Sequence, residues 1–109
     1  MARRKYVLKL GEKTATLTEK QLELLDVAHG SHAIASGEAA FLMMTTTSAI
    51  GRLMSGLTKH NLAYFEVNWD GVNGPWQLWL TDEGYQAIKD NPEALRTMRT
   101  NTGVPEECL

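Results

Sequence analysis

The sequence predicts a small α+β domain in which a group of helices lies between two β-hairpins. Apolar and polar residues alternate near the N-terminus and again before residue 80, which is the pattern of half-buried strands. Between these segments, apolar residues recur every three or four positions, as in helices that bury one face. Residues typical of turns separate the segments, so the order of elements can be followed along the chain.

Length and composition indicate one globular domain. The chain has 109 residues, of which 43% are hydrophobic and 22% charged. No apolar run is long enough to cross a membrane, and Lys9 interrupts the basic N-terminal segment, unlike a secretory signal. The single cysteine, Cys108, excludes a disulfide framework. We therefore expect a reduced, cytoplasmic protein with no membrane partner.

The N-terminal hairpin is predicted by alternation. Apolar residues occupy every second position between Tyr6 and Leu10, and Thr14 to Leu17 form a second segment that favours a strand. Gly11 begins the short connection between the two segments. A basic arm that precedes the hairpin contains Arg3, Arg4 and Lys5.

Two helices are predicted after this hairpin. Thr18 and Gln21 have the spacing of a capping box, and helical periodicity then continues until Gly30, which can end the helix. After a loop over residues 31–37, a short helix over residues 38–44 is expected, with Ser36 as its N-cap. Its inward residues would be Ala39, Ala40 and Met43.

The third helix lies in the segment TTTSAIGRLMSGLTKHNL. Thr45 or Thr46 is expected to cap it, and Asn61 is a residue type that tolerates the left-handed conformation at a helix end. Its apolar positions follow helical spacing: Ile50, Leu53, Met54 and Leu57. The opposite face is short, polar and free of acids: Thr47, Ser48, Gly51, Arg52 and Ser55.

The second hairpin contains all three tryptophans. Ala63 to Trp69 are rich in aromatic and β-branched residues, and Pro75 to Leu80 alternate between apolar and polar. Two dipeptides, Asp70-Gly71 and Asn73-Gly74, supply turn positions with positive φ. The alternation directs one side of the second strand to the core (Trp76, Leu78 and Leu80) and leaves Trp69 and Trp79 as candidate contacts.

Two further helices are expected at the C-terminal end. Thr81 is an N-cap, with acidic residues in the first turn behind it. Asn91-Pro92 ends this helix and can cap a last short helix that extends to Arg99. The terminal NTGVPEECL is expected to fray.

Charge distribution is more informative than net charge. The formal net charge of −2 argues against a general attraction to nucleic acid. No Asp or Glu occurs between Ala39 and Phe65, however, whereas Arg52 and Lys59 both lie there. One face of an acidic molecule is therefore expected to be mildly positive.

Residues with catalytic or metal-binding potential do not form a convincing site. His29 and His32 have no third ligand nearby, and Cys108 has no partner base. We expect no catalytic residues, no metal and no cofactor. The acids near the first helix are expected to form a solvated face: Glu12, Glu19, Glu23 and Asp26.

Three stretches resemble a winged helix-turn-helix domain of the MarR type. LTEKQLELLDVA is similar to its opening helix, TTTSAIGRLMSGLTKHNLA to its recognition helix and the start of its wing, and LWLTDEGYQAI to its closing strand and following helix. The resemblance covers roughly residues 17–90. It implies an α+β fold with a three-helix core and a two-stranded wing over residues 18–90, after an arm and hairpin (1–17) and before a short helix and flexible tail (91–109).

The resemblance also implies a sequence-specific, repressor-like DNA-binding regulator that acts as a homodimer, with a recognition helix of about residues 46–60 in the major groove. Thr46, Thr47 and Ser48 would hold phosphate at the helix start. Arg52 would contact guanine, and Lys59 and His60 would reach a phosphate from the far end.

Departures from the family pattern leave a second function open. No Lys or Arg occurs between Phe65 and Ile88, and Met43-Met44-Thr45 stand where a helix-turn-helix glycine is usual. The alternative is a winged-helix protein-interaction module, such as an adaptor or an inhibitor of a host protein among phage-type small proteins. Its candidate contacts are Trp69, Asn73 and Trp79.

Overall fold

A computed structural model describes residues 4–31 and 33–102 of the chain. Within them, the elements follow the order β1 (Lys5–Leu10), β2 (Lys13–Thr18), α1 (Glu19–Ser31), β3 (Ala33–Ala35), α2 (Ser36–Leu42), α3 (Thr47–Lys59), β4 (Ala63–Val67), β5 (Trp76–Leu80), α4 (Asp82–Asp90) and α5 (Pro92–Thr102). The predicted α+β fold class is confirmed, and β3 is added to it. Expectations for Arg3, His32, Cys108 and residues 103–109 lie outside the described residues.

The N-terminal hairpin pairs β1 with β2 through a two-residue turn between Leu10 and Lys13. Gly11 has a φ of 68°, at the turn position where a type II′ turn needs positive φ. Tyr6 and Leu8 are buried, whereas Val7 is exposed, so the predicted alternation is confirmed.

The capping box that begins α1 is also confirmed. The Gln21 N–H donates to Thr18 Oγ1 at 3.2 Å, and the Thr18 N–H donates to Gln21 Oε1 at 2.9 Å. These reciprocal bonds satisfy amides that have no intrahelical partner. The helix then buries four residues completely: Leu22, Leu24, Leu25 and Ala28.

The segment between α1 and α2, which the sequence predicted as a loop, contains the strand β3. It pairs antiparallel with β5, which also pairs with β4, so that β5 is the central strand of a three-stranded sheet. Ile34 lies opposite Leu78, and both are fully buried. This sheet and helices α1, α2 and α3 share the hydrophobic core with α4, α5 and the inner face of the hairpin.

The prediction that Ser36 caps α2 is wrong. The helix begins at Ser36 itself, and its N-cap is Ala35, which makes no side-chain capping bond. Ser36 is buried, and its Oγ accepts a hydrogen bond from the Trp76 N–H at 3.2 Å. The pairing of β3 with β5 brings this hydroxyl to the start of β5, where a long-range bond replaces the local one.

The connection between β4 and β5 docks on the start of α2. The Gly37 N–H donates to the Asn73 carbonyl, and a Cβ atom on Gly37 would collide with the same carbonyl. The positive φ angles predicted for this connection are confirmed at Gly71, Asn73 and Gly74. We call β4, β5 and residues 68–75 the wing; its turn is held against the helices by this contact.

Asn91 attaches the N-terminal hairpin to the helices. Its buried side chain accepts from the Lys9 N–H at 2.8 Å and donates to the Lys9 carbonyl at 2.9 Å and the Ala87 carbonyl at 2.8 Å. The expectation that Asn91 caps the last helix is confirmed only for its backbone, since the Leu95 N–H donates to the Asn91 carbonyl at 3.3 Å.

Helix α5 is longer than predicted and is bound to the domain. It continues past Arg99 to Thr102 and buries Leu95 and Met98. The Arg99 guanidinium donates two hydrogen bonds to the Asp26 carboxylate, at 2.9 and 2.6 Å. This pair joins the last helix to α1.

The expectation of a solvated acidic face is wrong for three of the acids. Asp26 pairs with Arg99, Glu23 with Lys20, and Glu19 with Arg4. Glu19 also accepts from the Tyr6 hydroxyl at 2.9 Å. Burial raises the pKa of Tyr6 above its ordinary value, a hydrogen bond from Asn101 opposes this shift, and Glu19 reinforces it.

Replacement of Asn91 by Ala is expected to lower the free energy of unfolding by about 2–3 kcal/mol, because it removes three hydrogen bonds and leaves partly buried backbone groups of Lys9 without these partners. Urea denaturation measures this loss. The exposed Gln86→Ala variant, which removes an amide from the neighbouring helix α4, should change stability by less than about 0.5 kcal/mol. Equal stabilities of the two variants would contradict the role given to Asn91.

Two glycines are expected to respond oppositely to replacement by Ala. Gly37→Ala places a methyl group against the Asn73 carbonyl and should destabilise the protein by about 1–3 kcal/mol. Gly30, in α1, has no neighbour around its would-be Cβ, so Gly30→Ala should be neutral or stabilising by up to about 1 kcal/mol. Urea denaturation of both variants tests this, and a fully stable Gly37→Ala protein would refute the docking contact.

Candidate nucleic-acid interface

Helix α3 begins with a local cap that the sequence anticipated. Of the two candidate residues, Thr46 is the N-cap, and its Oγ1 accepts from the Ala49 N–H at 3.1 Å. The helix ends at Lys59, with His60 as C-cap, and Asn61 then has the predicted positive φ, at 59°. The backbone amides of Thr47 and Ser48, in the first turn, have no intrahelical acceptor.

The inner face of α3 fixes which side chains face outward. Ile50, Met54 and Leu57 are buried and Leu53 is partly buried, as their spacing predicted. This face packs against α1 and α2. Burial of about three large apolar side chains stabilises this orientation by several kcal/mol.

A row of polar residues runs along the outer face of α3. Ser48, Arg52, Ser55 and Lys59 are exposed and are spaced by four, three and four residues, so they lie on one side of the helix. We call these four residues the α3 row. Sequence reasoning did not select Ser55 as a site residue, although its spacing from Ser48 places it in this row.

The α3 row has an open, cationic character. The helix contains no acid. In the part of the chain that the structure describes, neither Arg52 nor Lys59 has an ion-pair partner. A Cβ on Gly51, which borders the row, would meet no neighbouring atom. The row is therefore accessible to a long anionic ligand.

The predicted contact residues form a stripe rather than a pocket. Thr46, Thr47 and Ser48 lie at one end of α3, whereas Lys59 and the partly buried His60 lie at the other. A helix of this length extends about 20 Å. A small molecule cannot contact both ends, but a nucleic-acid groove can.

In the turn before α3, a methionine adopts the left-handed backbone conformation for which a glycine is usual. Met44 has a φ of 54°, in the left-handed region, and its side chain is 93% exposed. A residue with a Cβ bears a cost in this conformation. Met44 therefore occupies the place of the glycine, and its side chain points away from the core.

The N-terminal hairpin does not bring its cations to α3. It packs against α1, α4 and α5. Arg4 lies 3.5 Å from the Glu19 carboxylate and Lys5 is exposed at the start of β1. Of the predicted arm residues, these two are thus placed apart from the α3 row.

The three tryptophans differ in their surroundings. Trp69, in the wing turn, is 89% exposed. Trp79 is partly buried, stacks on Tyr64 with a centroid distance of 6.5 Å, and has a buried indole N–H with no acceptor among the described residues. The candidate contact Asn73 forms the turn that docks on α2 and is exposed.

The prediction that Trp76 faces the core with Leu78 and Leu80 is correct for the two leucines only. Trp76 is 39% exposed and packs edge-on against Phe65, with a centroid distance of 5.6 Å. All three residues share one face of β5, but the helical core ends before Trp76. Alternation predicted the face of the strand, and it gave no information about how far the core extends.

Metal binding and membrane insertion were the two further possibilities raised by the sequence, and both concern residues 4–31 and 33–102. These residues contain no group of three potential metal ligands, and the His29 ring instead packs edge-on against Tyr85 with a centroid distance of 5.7 Å. No helix in these residues has the length and apolarity needed to span a membrane.

Comparison with known proteins gives matches only at the level of structure. No protein-family model matches the sequence, and no curated protein matches it. YusO from Bacillus subtilis superimposes with a TM-score of 0.64 at 22% identity, covering 84% of this chain and 65% of that one. A MarR family transcriptional regulator from Silicibacter pomeroyi gives 0.61 at 18% identity, covering 75% and 54% respectively.

A third match is the Staphylococcus aureus protein MepR in its complex with DNA. Its TM-score is 0.59 at 18% identity, and the match covers 84% of this chain and 67% of that one. This chain therefore spans between about half and two thirds of the length of these structures. At such identities the similarity establishes the fold. In that fold α2 and α3 are the helix-turn-helix pair, and β4 and β5 form the wing. The chain has a winged helix-turn-helix fold of the MarR type.

Proposed function

We propose that the protein is a sequence-specific DNA-binding transcriptional regulator, with α3 as the recognition helix in the major groove. The observation that carries this proposal is the α3 row, which is exposed, contains two cations with no ion-pair partner among residues 4–31 and 33–102, and has no acid beside it on the helix. The solved complex of MepR with DNA, which has the same fold, adds support.

Within this proposal, the two ends of α3 contact phosphates and its second turn contacts bases. Thr47 and Ser48 present hydroxyls and free amides at the positive end of the helix dipole, which suits a phosphate. The hydroxyl of Thr46 also lies there, although it already accepts the capping bond. Arg52 can donate two parallel hydrogen bonds to guanine. Lys59 and His60 contact phosphates of the DNA strand on the far side of the groove.

Affinity in this arrangement depends on few cations. The chain carries a net charge of −2, and its wing contains no Lys or Arg between Phe65 and Ile88. Binding should therefore rest on α3 rather than on a broad basic surface, and the wing should add little. A repressor-like homodimer would present two copies of α3 to half-sites about 34 Å apart.

Replacement of Arg52 by Ala should weaken binding to a selected DNA site by about 1–3 kcal/mol, or roughly 5- to 150-fold in Kd, because the bidentate contact to a base is lost. The site is first obtained by selection from random-sequence duplexes, and Kd is measured by fluorescence anisotropy. Arg52→Lys retains the charge and should still lose discrimination between bases. A folded Arg52→Ala protein with unchanged Kd would remove Arg52 from the interface.

Lys59 is expected to act through phosphate alone. Lys59→Ala should lower the slope of log Kd against log salt by about 1. It should weaken binding to the selected DNA site and to random-sequence DNA by the same factor. Lys89→Ala, which removes an exposed cation from α4, is the matched control and should leave the slope unchanged. Identical slopes for the two variants, or no DNA binding at about 50 mM salt by the parent protein, would contradict the proposal.

A further inference from the structure

The wing presents apolar side chains that the domain does not bury. Besides Tyr64, which lies on the opposite face of the hairpin, its exposed large apolar residues are Phe65, Val67, Trp69, Val72 and Trp76. Phe65, Val67 and Trp76 share one face of the β4–β5 hairpin, where Phe65 and Trp76 touch edge-on. Trp69 and Val72 lie in the turn beyond them. Soluble proteins rarely expose a contiguous apolar area of this kind unless it contacts a partner.

Helix α2 adds an apolar residue on the side that contacts the wing. Gly37, in its first turn, contacts the wing turn through Asn73. Phe41 follows four residues later, on the same side of the helix, and is 81% exposed. We call Phe41 and five residues of the wing (Phe65, Val67, Trp69, Val72 and Trp76) the wing surface.

The wing turn is held in a defined conformation. The Asn68 side-chain amide donates to the carbonyls of Val72 and Gly74, at 2.6 and 2.8 Å, and the Asn68 N–H donates to the Pro75 carbonyl at 2.9 Å. The Val72 N–H donates to Asp70 Oδ1 at 2.9 Å. Trp69 is thus presented by an ordered turn, which lowers the entropy cost of binding a partner.

The elements that form the wing surface carry charge of one sign only. Neither residues 21–51, which include α2, nor residues 65–88, which include most of the wing, contain a Lys or Arg. Glu38, Glu66 and Asp70 are exposed in these elements. Carboxylates at these positions repel DNA phosphates and favour a cationic partner.

We propose that the wing surface docks a protein segment in which aromatic or aliphatic anchors are flanked by Lys or Arg. Aromatic residues with an acidic rim match the anchors and the charges of such a segment. A second copy of this chain also carries exposed cations, among them Lys5 and Lys9 on the N-terminal hairpin, and the oligomeric state distinguishes it from a separate partner. This surface shares no residue with the α3 row and does not require DNA binding.

The experiment selects peptides from a random library displayed on phage, with the full chain as bait and the Trp69→Ala protein for counter-selection. The peptides enriched are expected to contain apolar residues interspersed with Lys or Arg. A synthetic copy of the enriched peptide is then titrated while binding is followed by anisotropy of a label on the peptide. Trp69→Ala should raise its Kd at least about tenfold, as for an interface hot spot.

Matched variants distinguish peptide binding at the wing surface from nonspecific hydrophobic binding elsewhere on the protein. Asp70→Asn, which preserves the acceptor for the Val72 N–H, should weaken peptide binding, whereas Glu93→Gln removes an exposed acid from α5 without effect. Val7→Ala, which trims an exposed apolar residue on the hairpin, should also leave binding unchanged. The Kd for DNA should be the same in Trp69→Ala as in the parent, so failure of either proposal is distinguishable from failure of the other.

Several results would overturn the inference. The first is that the library yields acidic peptides or no enriched peptide. The second is that Asp70→Asn and Glu93→Gln change peptide affinity equally, and the third is that Trp69→Ala loses affinity for DNA. Dimerisation of the parent protein that Trp69→Ala abolishes, measured by sedimentation, would assign the surface to a second copy instead.

Discussion

The pairing of β3 with β5 is the constraint on which the rest of the structure depends. Three residues of β3 hold the central strand of the sheet and lead directly into α2. The same pairing places the Ser36 hydroxyl on the Trp76 N–H and the Asn73 carbonyl on the Gly37 N–H. The wing and α2 consequently form one unit, and α3 is packed against it.

Positive charge is distributed unevenly between this unit and the rest of the molecule. Cations are absent from α2 and from most of the wing, whereas the N-terminal hairpin and the outer face of α3 contain them. Long-range electrostatics would steer an anionic ligand away from the wing and leave α3 as the element suited to it. The proposed DNA contact and the proposed protein contact therefore use different surfaces. A protein bound to the wing need not compete with DNA for the same side chains.

The terminal segments also differ in what anchors them. The hairpin is attached through Asn91, which hydrogen-bonds both backbone groups of Lys9, and through the Tyr6 hydroxyl, which contacts Glu19 and Asn101. Helix α5 is attached through Leu95, Met98 and the Arg99–Asp26 pair. Partly buried bidentate pairs of this kind orient elements, whether or not they add net stability. The hairpin and α5 are thus integral parts of the domain.

The sequence by itself determined the features that depend on neighbours along the chain. The capping box at Thr18, the caps at Thr46 and Thr81, the inner face of α3 and the positive φ at Asn61 all follow from residues within about one helical turn. The exposed stripe of α3, and hence most of the candidate interface, follows from the same periodicity.

Tertiary structure alone decided the features that join distant segments. β3 is too short to show a period, and its partner lies more than 40 residues away, so neither the strand nor the role of Ser36 can be predicted from local pattern. The partial burial of Asp26 beside Arg99 and the exposure of Trp76 depend likewise on where α5 and the helical core end. Local sequence specifies hydrogen bonds between near neighbours, whereas the contacts that bury or expose a side chain are set by elements brought together only in the folded chain.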